Sequence, residues 1–185
     1  MLEGLKKEVK ESMDKSVDSL VRELAKIRTG KATPTMLDVV KVNYYGALTP
    51  LNQVAAISCP DAKSFLITPW EASVLKDIEA GIVKADLGLA PMNDGKVIRL
   101  KVPDLTEERR RDLVKLSKKV VEEGKVAVRM ARRDANESLK KLLKDKAISE
   151  DDNKRVEAEV QKITDEFIAK VDKIAEDKEK DIMGV

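Results

Sequence analysis

Arginines are the side chains best equipped for chemistry in this sequence. Arg129, Arg132 and Arg133 crowd one short stretch. Around them apolar residues recur at helical spacing: Leu113, Leu116, Val120, Ala127, Ala131, Ala135, Leu139 and Leu142. On a helix turning about 100° per residue, Arg111, Lys115, Lys118, Lys125, Arg129, Arg133 and Lys140 project within about 40° of one direction. Arg132 and Lys144 lie at the edges of that stripe, and Glu122 is its acidic intruder. Guanidinium forks match phosphate oxygens, so the stripe suits the backbone of RNA or DNA. Nothing near it resembles a base-reading motif. A second reading competes. Residues 105–148 hold 14 basic and 8 acidic side chains, whereas residues 149–185 hold 7 and 12. Two neighbouring helices of opposite charge would neutralise each other.

Other chemistry finds little material. The 185 residues include 36 Lys+Arg, 34 Asp+Glu and no histidine. That removes Ser-His-Asp and Cys-His pairs and imidazole metal ligands. Cys59 has no internal disulfide partner and fits a reducing, cytoplasmic setting. Beside Pro60 it reads as a small buried or loop residue. Asp94-Gly95 and Gly88 lack the spacing of a phosphate loop. Asp151-Asp152 are explained as helix N-terminal acids. No catalytic residue, metal or cofactor is expected. Tyr44, Tyr45 and Trp70 could stack bases, but core packing is the expected role in a region short of aromatics. The N-terminus shows no apolar region of a secretory signal, and no stretch suits a membrane span.

The elements that position these residues follow from periodicity. Leu2, Leu5, Val9, Met13, Val17, Leu20, Leu24 and Ile27 form one stripe, predicting a helix over 2–28 that Gly30 caps. Lys26, Arg28 and Lys31 at its end read as ordinary partners of the helix dipole. The arginine-bearing helix starts behind Thr106 and runs to about Lys146. Gly124 within it costs helix stability or marks close packing. Ser149-Glu150-Asp151-Asp152 has the form of a capping box. A third stripe follows: Val156, Val160, Ile163, Phe167, Val171 and Ile174. Three such stripes bury one another in a bundle, and the short link before Ser149 makes the last two helices antiparallel.

Residues 31–104 are different material. They hold all six prolines, four of the five aromatics and only 16 charges. Runs at Val39–Tyr45, Val54–Ile57, Phe65–Thr68 and Val97–Val102 read as strands. Asn93-Asp94-Gly95 is a turn before the last of these. A short helix is expected between Pro69 and Lys84, with Pro69 in its first turn. The fold class is α+β: a three-helix bundle from 1–30 and 105–185, with a small β/α/β domain inserted at 31–104. Glycine and proline at both crossings make a two-strand joint that can bend.

Several phrases then coincide with one family. Ile27-Arg28-Thr29-Gly30-Lys31-Ala32-Thr33-Pro34 resembles the joint of the bacterial ribosome recycling factors. Tyr44-Tyr45-Gly46, Asp86-Leu87-Gly88-Leu89, Asn93-Asp94-Gly95, Leu105-Thr106-Glu107-Glu108-Arg109-Arg110, Arg132-Arg133-Asp134-Ala135, Ser149-Glu150-Asp151-Asp152 and Gln161-Lys162-x-Thr164-Asp165 follow in the same order. Family members usually carry Asn where Ala90 and Met130 stand. The resemblance implies an L-shaped, tRNA-like, two-domain architecture and a non-enzymatic translation factor. Its partners would be the large ribosomal subunit with its 23S rRNA, and elongation factor G with GTP; it would act as a cytoplasmic monomer. The family's rRNA contacts carry over to Arg28, Lys31, Arg110, Arg129, Arg132 and Arg133. Its hinge carries over to Gly30, Lys31, Ala32, Thr33, Pro103 and Asp104. Arg110 projects away from the basic stripe, so the resemblance alone supports it. The rival from a different class is a helical adaptor whose apolar stripes bind partner helices.

Overall fold

The structure is a computed structural model, and it describes residues 1–184. The chain divides into two compact units, Met1–Thr29 with Glu107–Val185, and Gly30–Thr106. The first unit consists of three helices, α1 (Leu2–Ala25), α3 (Glu107–Lys144) and α4 (Glu150–Met183), each packed on the other two. Helix α2 (Leu75–Lys84) belongs to the second unit.

The stripe on α1 is the buried one: Val9, Met13, Leu20, Leu24 and Ile27 are buried. The helix itself ends at Ala25, short of the expected Arg28. Ile27 continues in a tightened turn, its N–H donating to the Leu24 carbonyl at 3.1 Å. Gly30 has φ +78° but lies beyond that turn, so it does not cap the helix. On α4, Ser149 Oγ accepts from the Asp152 backbone N–H at 3.1 Å, as the capping box requires. Gly184, in the left-handed conformation, closes the other end.

Helix α3 departs from its expected stripe. Leu113, Ser117, Val121, Val128, Ala131, Ala135 and Leu139 are buried, while Leu116 is 48% exposed. The helix packs on α1 and α4 together, so the covered face takes in Ser117 and Val121 and leaves Leu116 outside. Gly124 does mark close packing: a Cβ there would stand 3.1 Å from Leu20 Cδ2.

In the second unit, β1 (Lys41–Tyr44) and β2 (Ala47–Pro50) form an antiparallel hairpin. A four-stranded antiparallel sheet has the order β3-β4-β6-β5, from β3 (Ala55–Asp61), β4 (Ser64–Pro69), β5 (Pro91–Asn93) and β6 (Ile98–Lys101). Strands β2 and β5 were not expected from the sequence. Each is short and carries a proline at one end, and each lies at an edge, where a missing N–H costs no ladder bond. Pro69 ends β4 opposite Ala55 and does not open the helix, which begins after a 3-10 turn at Ala72–Val74. Leu37, Val40, Val42, Phe65, Ile67, Ile78, Ile82, Ile98 and Leu100 build one core between sheet, hairpin and α2. Gly81 lets α2 approach the hairpin: a Cβ on it would meet the Lys41 carbonyl oxygen at 2.5 Å.

Two expectations about single residues fail here. Trp70 and Tyr45 are 64% and 77% exposed, so neither is core. Trp70 leaves the sheet at the end of β4, where the hydrophobic interior has already been filled by Phe65 and Ile67. Cys59 is exposed on strand β3, its Sγ 3.9 Å from the Ala32 carbonyl.

Candidate nucleic-acid interface

The basic stripe of α3 has two halves. In the N-terminal half, Lys118 reaches Glu179 at 3.7 Å and Lys125 reaches Asp172 at 2.5 Å, both acids on α4. Lys125 is only 22% exposed. The neutralising role that the charge counts allowed is therefore real, and it is local.

Farther along α3, Val126, Arg129, Met130, Arg132, Arg133, Asn136, Glu137 and Lys140 line a concavity of about 450 Å³. Arg129 and Arg133 are exposed, with companions on their own helix: Glu122 at 3.0 Å from Arg129 Nη1, and Glu137 at 3.5 Å from Arg133 Nε. Surface pairs of this kind contribute at most about 1 kcal/mol and are readily exchanged for a phosphate. Arg132 is half-buried and held differently. Its Nη1 donates to Gln161 Oε1 on α4 at 2.8 Å, and its buried Nε has no hydrogen-bond partner among the described residues. Gln161 Nε2 in turn donates to Asp165 Oδ1 at 2.8 Å. The structure thus brings Arg129, Arg132 and Arg133 to one site. Met130, between them, is exposed.

Arg110 stands apart. Its Nη1 donates to the Ile182 carbonyl at 2.9 Å, and the guanidinium packs against Gly184. It ties the start of α3 to the end of α4. Lys178 does the same for α1, donating to the Ile27 carbonyl at 3.0 Å. Burial pushes the Lys178 ammonium below the ordinary lysine range, with Asp181 opposing that. Arg28 directly follows this capped turn.

The residues expected as a hinge belong to the second unit. Ala32 N–H donates to the Ala62 carbonyl at 2.7 Å. Val102 N–H donates to the Lys63 carbonyl at 2.8 Å, and Lys63 pairs with Asp104. Lys31 precedes the fastened Ala32; Thr33 is extended ahead of the 3-10 turn at Pro34–Leu37; Pro103 bridges Val102 and Asp104.

Near the hairpin, Tyr44 and Tyr45 both donate to Glu71, at 2.6 and 2.7 Å. The two phenols hold the Glu71 carboxyl below its usual range, and Glu71 pushes the Tyr44 phenol up. Sequence reasoning missed this clasp and the part played by Gln161. Spacing along one element carries no trace of partners that lie on another.

The model of the family described as ribosome recycling factor matches residues 20–183. The chain belongs to the ribosome recycling factor family. It is 64% identical over 181 residues to the ribosome-recycling factor of Bdellovibrio bacteriovorus, covering 98% of this chain and 97% of that one. It is 52% identical over 185 residues to that of Shouchella clausii, covering both chains entirely. A solution structure of a ribosome recycling factor is similar at a TM-score of 0.75 and 41% identity, over 100% of this chain and 98% of that one. Another, from T. thermophilus, comes from models of the ribosome recycling factor with E. coli elongation factor G on the E. coli post-termination complex. It is similar at a TM-score of 0.64 and 49% identity, over 98% of each chain. Among the described residues of this ribosome recycling factor chain, no helix is long and apolar enough to cross a membrane.

Proposed function

We propose that the protein binds the post-termination ribosome and, with elongation factor G and GTP, splits it into subunits and frees it from mRNA. The arginine concavity on α3 supports this reading within the family: Arg129, Arg132 and Arg133 offer guanidinium groups to the phosphates of 23S rRNA in the large subunit. Arg28 and Lys31 add cationic charge near the end of α1. Arg110, which also ties the start of α3 to Ile182, is the remaining proposed rRNA contact. The inserted unit receives the push of the translocase, and the chain bends about Gly30–Thr33 and Pro103–Asp104. The protein performs no bond chemistry of its own. GTP hydrolysis on elongation factor G supplies the work, and a cytoplasmic monomer carries out the cycle.

The test is subunit splitting followed by light scattering on post-termination ribosomes. Splitting is expected only when the protein, elongation factor G and GTP are all present. Splitting without the protein at an equal rate would reject the function. For the site, Arg132→Ala should weaken binding to large subunits, and because Arg132 is half-buried and bonded to Gln161, thermal melting of the variant separates lost affinity from lost stability. Affinity unchanged by Arg132→Ala would remove the α3 concavity from the account. The adaptor reading predicts binding that ignores salt; the phosphate reading predicts a steep fall as salt rises.

A further inference from the structure

We propose that Gln161, oriented by Asp165, is a positioning residue for RNA binding: it fixes the Arg132 guanidinium without neutralising it. This rests on the assignment of the α3 concavity to rRNA phosphate. The three arginines of the site differ in what holds them. Arg129 and Arg133 have carboxylates, Glu122 and Glu137. Arg132 has a neutral amide, Gln161 Oε1, at 2.8 Å. A carboxylate in that place would form a charge-assisted pair and compete with phosphate for the same donors. A neutral acceptor holds the fork in place and leaves the positive charge available.

An amide can present either of its ends, and the wrong one would set N–H groups against a guanidinium that accepts nothing. Asp165 decides the matter. Lying one turn along α4, it accepts from Gln161 Nε2 at 2.8 Å. A carboxylate accepts only, so it selects the end of the amide facing it and turns Oε1 toward Arg132. The negative charge is kept one side chain away from the RNA-facing group. The stem of Arg132 is confined as well, since its Nε is buried. The guanidinium is therefore pre-set before RNA arrives, which avoids the cost of immobilising a long side chain on binding.

The measurement is the affinity of the full-length protein for vacant large ribosomal subunits across a salt series, with thermal melting as a check on folding. Gln161→Glu should lower affinity by about tenfold, because the new carboxylate pairs with Arg132. It should also reduce the slope against salt by about one phosphate contact. Gln161→Ala should lower affinity by about fivefold, the cost of re-immobilising one side chain. In an Arg132→Ala background the same two substitutions should change affinity little, which a purely structural role would not predict. If Arg132→Ala weakens binding but Gln161→Glu leaves affinity and salt slope as they were, the positioning role is wrong and the interface stands. Equal losses from Gln161→Ala with and without Arg132 also overturn it. If Arg132→Ala itself changes nothing, the interface assignment fails first.

Discussion

The helical unit is assembled from continuous stripes on three long helices, with Val9, Leu20, Leu24, Leu113, Val128, Leu139, Val160 and Ile182 spread along its length. The inserted unit gathers its core from short segments far apart in the chain, around Phe65, Ile67, Ile78 and Leu100. In the first, each turn of helix adds a similar increment, so no one side chain dominates. In the second, few residues carry many elements, and the loss of one disturbs all of them. The arginine concavity proposed to meet rRNA sits on the incremental unit, where a long rod can spare a face for arginines.

The sharpest way to break this contrast is Phe65→Ala. Truncating a fully buried aromatic is expected to cost about 3–5 kcal/mol, and it should melt the inserted unit alone. Calorimetry should then separate two transitions, with the helical signal retained through the first. A single transition shifted as a whole would show the two units to be one cooperative block.

A paired substitution at two glycines follows. Gly81→Ala places a Cβ 2.5 Å from the Lys41 carbonyl oxygen, a backbone atom that cannot step aside. Overpacking there should cost about 1–3 kcal/mol. Gly124→Ala meets a side chain and no backbone, the buried Leu20, with Cδ2 at 3.1 Å and Cγ at 3.3 Å. The gain in helix propensity, about 1 kcal/mol, should leave that variant neutral or more stable. The denaturant midpoint should fall for Gly81→Ala and hold or rise for Gly124→Ala.

Removing the cap of α4 is a smaller change. Ser149→Ala should cost about 1 kcal/mol, read from the bundle's unfolding, with the inserted unit unaffected. The least effect is expected at the Tyr44–Glu71 clasp. Because Glu71 is held below its usual range, the clasp contributes fully above the ordinary carboxylate range and is lost as pH falls through the lowered value. Because the Tyr44 phenol is pushed up, its contribution is complete below the ordinary phenol range and is lost as pH rises beyond it. The stability difference between the protein and Tyr44→Phe should stay flat between these limits and shrink at both ends.

Much of this was legible in the sequence, for a physical reason. A helix buries one face at a fixed period, so the stripes on α1 and α4 announce themselves. Helix α3 touches two partners, and there the period misled: Ser117 is buried and Leu116 is not. Strands β2 and β5 escaped notice because pairing across the chain, not their own residues, makes them strands. The site was half visible. The crowding of Arg129, Arg132 and Arg133 is a local pattern, and the family phrases tie it to the rRNA contact proposed above. That Lys118 and Lys125 are spent on α4, that Gln161 holds Arg132, and that Arg110 grips Ile182 depend on how helices face one another.

The crowding at Gly81 carries a consequence for how such a gene can wander. Every single-base change in a glycine codon that yields another amino acid adds a β-carbon, and here even the smallest addition strikes the main chain of a neighbouring strand. No gentle first step away from glycine exists at this codon, so a lineage could leave it only after the hairpin beneath had already shifted.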